Sequence, residues 1–73
     1  MSTEIVLHML SGRRHVFRPG DLSGAEGQTA AQTLDTVKRS LHETDGLLDF
    51  RDTEGHRWIV RSGMIEGVLL SEA

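Results

Sequence analysis

One stretch of this chain carries its apolar residues at helical spacing. Ala30, Leu34, Val37 and Leu41 fall at i, i+4, i+7 and i+11, the pattern of a single buried helix stripe. The spacing predicts a helix over 29–43. Thr29 followed by Gln32 forms a capping-box signature at its start. Gly46 suits a left-handed stop after its last turn. The stripe is narrow, so this helix covers one surface only. The remaining apolar segments must then be strands, and one rod must serve a whole β-layer.

Those segments read as strands separated by glycine-bearing turns. Residues 4–10 (EIVLHML) and 14–18 (RHVFR) flank Ser11-Gly12 as a first hairpin. A two-residue loop there places His8 opposite His15; a longer loop does not, and the register stays open. Residues 19–27 form a loop. Residues 47–52 (LLDFRD) and 56–61 (HRWIVR) flank Thr53-Glu54-Gly55, a three-residue loop with Gly55 at the left-handed position. Ser62-Gly63 then reads as a two-residue turn into a last strand over 64–71 (MIEGVLLS). The expected order is ββαβββ. It is an α+β fold, mainly an antiparallel sheet of about five strands with one amphipathic helix, in a single small domain over 1–73.

Alternation sorts the side chains into two faces. The loop lengths set Phe50 opposite Trp58, Leu48 opposite Val60, Val60 opposite Ile65 and Trp58 opposite Gly67. One face then gathers Leu48, Phe50, Trp58, Val60, Ile65 and Leu69, where the helix stripe is expected to pack. The other gathers Leu47, Asp49, Arg51, Arg57, Ile59, Arg61, Met64, Glu66, Val68 and Leu70. Burying one Val or Leu is worth roughly 1.5–3 kcal/mol, so five bare apolar side chains would cost a small domain much of its margin. Three covers are open: the N-terminal hairpin folded over into a small barrel, a second copy of the chain, or a different partner.

Size and charge narrow the function classes. A chain of 73 residues buries only about 60% of its unfolded surface. It has no cysteine, which removes disulfides and thiolate metal sites and fits a reducing compartment. The start is polar and acidic, with no basic leader pattern. No run approaches the roughly 18 apolar residues of a membrane span. The expectation is a cytoplasmic protein. Its Arg-heavy balance, with Lys38 the only lysine, fits a GC-rich bacterial or bacteriophage genome. A net charge of −3 argues against strong nonspecific nucleic-acid binding. The charge is uneven: residues 1–20 carry Arg13, Arg14 and Arg18 against Glu4 alone, whereas the helix and its flanks are acidic.

The chemistry-bearing motifs are few. The stretch PGDLSGAEGQT (19–29) has glycines ahead of a helix, yet it holds Asp21 and Glu26 and no basic residue. Both acids would repel a phosphate, so a slack crossover is expected in place of a phosphate cradle. His8, His15, His42 and His56 show no metal-ligand spacing. His42 at the helix end suits the dipole. A His8–His15 pair, if formed, would titrate near neutrality. No serine sits in a nucleophile-elbow context. No metal, cofactor or catalytic residue is assigned, and an enzyme is not expected.

The arginines are the cluster that remains. Arg51, Arg57 and Arg61 share a face, with Arg51 opposite Arg57, an unfavourable pairing that an anion or an acidic partner would relieve. Asp49 and Glu66 on the same face are the local alternative. The leading expectation is a non-enzymatic interaction module, self-associating and binding or regulating a partner protein. Its contact residues would be Arg51, Arg57, Ile59, Arg61, Met64, Val68 and Leu70. The runner-up is a binder of an anion, a nucleotide or nucleic acid that uses Arg51, Arg57 and Arg61, helped by Arg13 and Arg14.

Overall fold

The computed structural model describes residues 3–43 and 45–72. The chain runs through β1 (Thr3–Met9), β2 (Arg14–Phe17), a 3₁₀ turn (Pro19–Asp21), α1 (Ala30–Leu41), β3 (Leu47–Arg51), β4 (Arg57–Arg61), a second 3₁₀ turn (Ser62–Met64) and β5 (Ile65–Glu72). This is the expected α+β order, with every strand pair antiparallel. The strands do not make one sheet. They divide into a three-stranded sheet, β2-β1-β5, and a two-stranded ribbon, β3-β4.

The division comes from the fate of the last strand. A β4–β5 hairpin was expected, with Val60 opposite Ile65 and Trp58 opposite Gly67. Instead Ser62-Gly63-Met64 forms a 3₁₀ turn, too wound to return a strand beside its predecessor. β5 therefore leaves the ribbon and pairs with β1, setting Leu7 against Val68, Ile5 against Leu70 and His8 against Gly67. Val68 and Leu70 accordingly share the side of Leu7 and Ile5, and Leu69 shares that of Val6. The expected faces hold for β3, β4 and Ile65, which packs against the core; beyond the irregularity at His8/Met9 they exchange for Val68, Leu69 and Leu70.

The core lies between the two sheets. Ile5, Leu7, Met9 and Phe17 meet Leu48, Phe50 and Val60, and the Phe17 and Phe50 rings stack at 4.6 Å. The N-terminal hairpin folds over, but not onto the face whose cover was open, where Leu47 and Ile59 stay 61% exposed. It covers the face with Leu48 and Phe50, which had been assigned to the helix. The helix touches both sheets and the Ser62–Met64 turn, and buries Thr33 and Val37. Ala30, Leu34 and Leu41 are only half-buried, so the buried pair shares Val37 with the expected stripe and adds Thr33.

Local signals explain the elements. Thr29 caps α1, accepting from the Gln32 amide while the Gln32 side chain accepts from the Thr29 amide. Gly46, expected in a left-handed stop, has no positive φ. Its role is space: a Cβ there would lie 2.7 Å from the Ser40 carbonyl oxygen and 2.7 Å from the Ser62 hydroxyl. The loop over 19–27 is not slack. It buries Leu22 and Ala25 in the core, Leu22 bridges to Phe50, and the Ser23 amide donates to the Asp49 carbonyl at 2.8 Å.

Candidate functional site

Two hairpins present the chemistry-bearing side chains, and they share one turn. In the second, the Asp52 amide donates to the His56 carbonyl and the Gly55 amide to the Asp52 carbonyl, with Gly55 at φ 89°. In the first, the Met9 amide donates to the Arg13 carbonyl and the Gly12 amide to the Met9 carbonyl, with Gly12 also at φ 89°. The open register thus resolves to a three-residue loop, Leu10-Ser11-Gly12. His8 faces Arg14 and His15 faces Leu7, so the histidine pair does not form.

Asp52 organises the second turn. Its Oδ1 accepts from the amides of Glu54 and His56, and its Oδ2 accepts from the Trp58 indole N–H at 2.8 Å. Desolvation works to raise its pKa, but these donors outweigh it and hold the carboxyl below its ordinary value. Trp58 is fixed from three sides, with the His15 ring at 4.5 Å and the Arg13 guanidinium 5.2 Å from its centroid. Burial, and then the Arg13 charge, push the His15 pKa down, with Asp52 pulling weakly the other way.

Ligand atoms of Asp52, Glu54 and His56 lie within 4.8 Å of one another. The Asp52 oxygens are already committed to their own turn and to Trp58, so this group acts first as a turn brace. The amide of Gly24, which a phosphate would need, accepts no visitor either: it donates to both carboxylate oxygens of Glu26 at 3.1 Å. Among the described residues no Ser or Thr hydroxyl bonds to a histidine or a carboxylate.

The outer face of the ribbon holds Leu47, Asp49 and Arg51 on β3 and Arg57, Ile59 and Arg61 on β4. Arg51 lies opposite Arg57 as expected. Asp49 relieves the clash, accepting two hydrogen bonds from the Arg57 guanidinium, at Nε 2.9 Å and at Nη2. That hydrogen bond and the paired charge hold Asp49 below, and Arg57 above, its ordinary pKa. Glu66 is on the other sheet. Arg51 and Arg61 make no ion pair among the described residues. Leu47 and Ile59 are each 61% exposed, with Leu10 and Met64 also exposed. The backbone of Leu10 adjoins Met64, its amide donating to the Met64 carbonyl at 2.8 Å.

Four of the seven expected contact residues, Arg51, Arg57, Ile59 and Arg61, thus share one face, and Met64 borders it. Val68 and Leu70 do not belong to it. They lie on the core side of β5, where Val68 packs against the buried cluster. Two features went unforeseen: Leu10, which read as part of a strand, and a groove of ≈ 380 Å³ between the first hairpin and β4. Its walls are Met9, Ser11, Arg13 and His15 on one side, Trp58, Ile59, Val60 and Arg61 on the other, with Met64 at the end. No carboxylate lines it. Arg51 and Arg57 instead border a depression of ≈ 360 Å³ that also carries Asp21, Glu26 and Asp49.

Fold and surface define a small α+β domain of antiparallel strands with an arginine-edged apolar patch. No family model, curated protein or solved structure matches the chain. No helix among the described residues is long and apolar enough to cross a membrane.

Proposed function

We propose that this protein is a non-enzymatic interaction module that binds a partner protein, either a second copy of itself or another chain, through the outer face of the β3–β4 ribbon. One observation carries the reading: Leu47, Ile59 and Met64 are large, apolar and exposed, and they lie around Arg61 on adjoining surface. Covering the exposed part of Ile59 alone would contribute roughly 1–2 kcal/mol. Arginines around such a patch are common at interfaces, because the guanidinium combines apolar stacking with directional hydrogen bonds. Regulation or inhibition of a larger target is the role that such a surface on so small a domain would serve.

Anion or nucleic-acid binding is the second reading, supported by Arg51 and Arg61, which lack ion pairs among the described residues. It is the weaker one. Arg57 is occupied by Asp49, and the depression beside Arg51 is lined by three acids.

Size-exclusion chromatography with light scattering, at low and high salt, tests the self-associating form. The expected mass exceeds one chain and falls to one chain in Ile59→Asp and Leu47→Asp. A single-chain mass at the highest concentration reached would eliminate self-association and leave a heterologous partner. Binding to phosphate or an oligonucleotide that weakens steeply with salt would instead favour the second reading.

A further inference from the structure

The ribbon has two edges, and the loop over 19–27 covers part of one of them, at Leu22 and Ser23. The Asp52 amide bonds to the His56 carbonyl at one end, and the Ser62 amide to the Gly46 carbonyl at the other, both at 2.8 Å. In an antiparallel ladder, hydrogen-bonded and non-bonded pairs alternate. The bonded pairs are therefore Phe50–Trp58 and Leu48–Val60. Arg57, Ile59 and Arg61 turn their N–H and C=O groups the other way, off the free side of β4. On β3 that side is covered in part: the Asp49 carbonyl accepts from the Ser23 amide, beside the Leu22–Phe50 bridge. On β4 nothing among the described residues meets them. A row of unpaired backbone groups is a template for one more strand.

We infer that β4 takes up an extended acidic segment of a partner protein as an added antiparallel strand. This rests on the reading of the chain as an interaction module, and it specifies the chemistry of the partner. A second copy fits poorly: antiparallel self-pairing centred on Ile59 sets Arg57 of each copy against Arg61 of the other, and like charges directly opposite destabilise a sheet. Carboxylates at those two positions reverse the sign, most fully opposite Arg61, because Asp49 already holds Arg57. The guest residue opposite Ile59 shares the outer apolar surface. The guest residues opposite Trp58 and Val60 point into the groove, beside Met9 and His15. The fitting pattern is acidic, three apolar, acidic. The outer face, where those carboxylates would lie, supports this charge choice, since Arg51 and Arg61 make no ion pair there among the described residues. Backbone bonds would give affinity, and side chains on alternate sides would give specificity.

Trp58, the only tryptophan, lines the groove and reports binding by its fluorescence. The probe is a synthetic peptide with the core Glu-Val-Ile-Val-Glu. Controls are its Lys-Val-Ile-Val-Lys counterpart and the Glu peptide N-methylated at the central Ile. The Glu peptide is expected to bind and to slow amide exchange at Arg57, Ile59 and Arg61. Affinity should fall on the order of tenfold or more with either control peptide, and with Arg61→Glu. Ile59→Pro should abolish binding while sparing the β3–β4 ladder, because it deletes only an outward N–H and edge strands tolerate proline. If that variant does not fold, the N-methylated peptide makes the same test on the native chain. Undiminished binding of the N-methylated peptide overturns strand addition. Should such binding also be lost in Leu47→Asp, the peptide lies on the outer face, and the module reading survives without this inference. Preference of the groove for a single-stranded oligonucleotide over the Glu peptide overturns it as well. No binding of the Glu peptide at low salt overturns this inference alone and leaves the module reading to the mass measurement.

Discussion

The first and second hairpins are built on the same turn and end in opposite circumstances. Each loop has three residues with glycine last at φ 89°, closed by the same pair of amide-to-carbonyl bonds. Yet β1 becomes the centre of a sheet, paired on both sides, while β4 keeps one side free. Turn chemistry sets the register within a hairpin; it does not choose the neighbour across the edge. That choice is made at Ser62–Met64, where a 3₁₀ turn sends β5 to β1 and denies it to β4. One strand's departure pairs β1 on both sides and leaves β4 with an edge to offer.

The sharpest contrast lies in what each hairpin buries. Phe17→Ala, in β2, should cost about 3–5 kcal/mol, since the ring is fully buried and stacked on Phe50. Urea denaturation measures this; a loss below that of a surface substitution would mean that the sheets do not close on each other. Gly46→Ala comes next, at roughly 1–3 kcal/mol from overpacking against Ser40 and Ser62. Gly12→Ala and Gly55→Ala should each cost about 1–2 kcal/mol, because both need the left-handed region and neither added Cβ would meet a neighbour. Equal losses in paired thermal melts would confirm that the two turns are alike; a large inequality would break the comparison.

Acid should act through the groove. His15 binds its proton less readily folded than its ordinary 6.5. Below that pH the unfolded chain takes up a proton that the folded chain resists, so stability declines as the pH falls through 6.5 and levels off beneath the folded value. Asp52 adds an acid limb at lower pH: its folded pKa is depressed, so its contribution is present above the ordinary carboxyl range and is lost as the pH drops through the folded value. Denaturant midpoints across pH should show the first slope, and His15→Phe should flatten it. The smallest effect is expected outside. Ile59→Ala should change stability by no more than about 0.5 kcal/mol, since the side chain is 61% exposed. A larger loss in the isolated chain would mean that Ile59 supports the fold.

These contrasts track what could be read before the coordinates. The β3–β4 register was legible because Gly55 fixed the loop length, and Phe50 opposite Trp58 followed. Thr29 and Gln32 marked the helix start for the same local reason. Ser11-Gly12 left two lengths open because Leu10, apolar and unbranched, reads as easily as strand as it does as loop. The pairing of β5 was out of reach: a period of two tells which residues share a face, never which strand lies alongside. Leu22 and Ala25 were hidden by the glycines around them, which read as slack although both side chains are buried. At the site, the arginine face was legible from alternation alone. The groove was not, since it depends on how far two non-adjacent hairpins stand apart.

Gly46 holds a wider consequence. The Ser62 amide donates to its carbonyl, the Ser40 and Ser62 hydroxyls bond to each other beside it, and Ser62 is 2% exposed. The last turn of α1, the approach to β3 and the exit from β4 are thereby tied at one knot. Nothing can peel away singly from such a junction, so the Ser62 amide should surrender its proton to solvent only when the entire molecule opens.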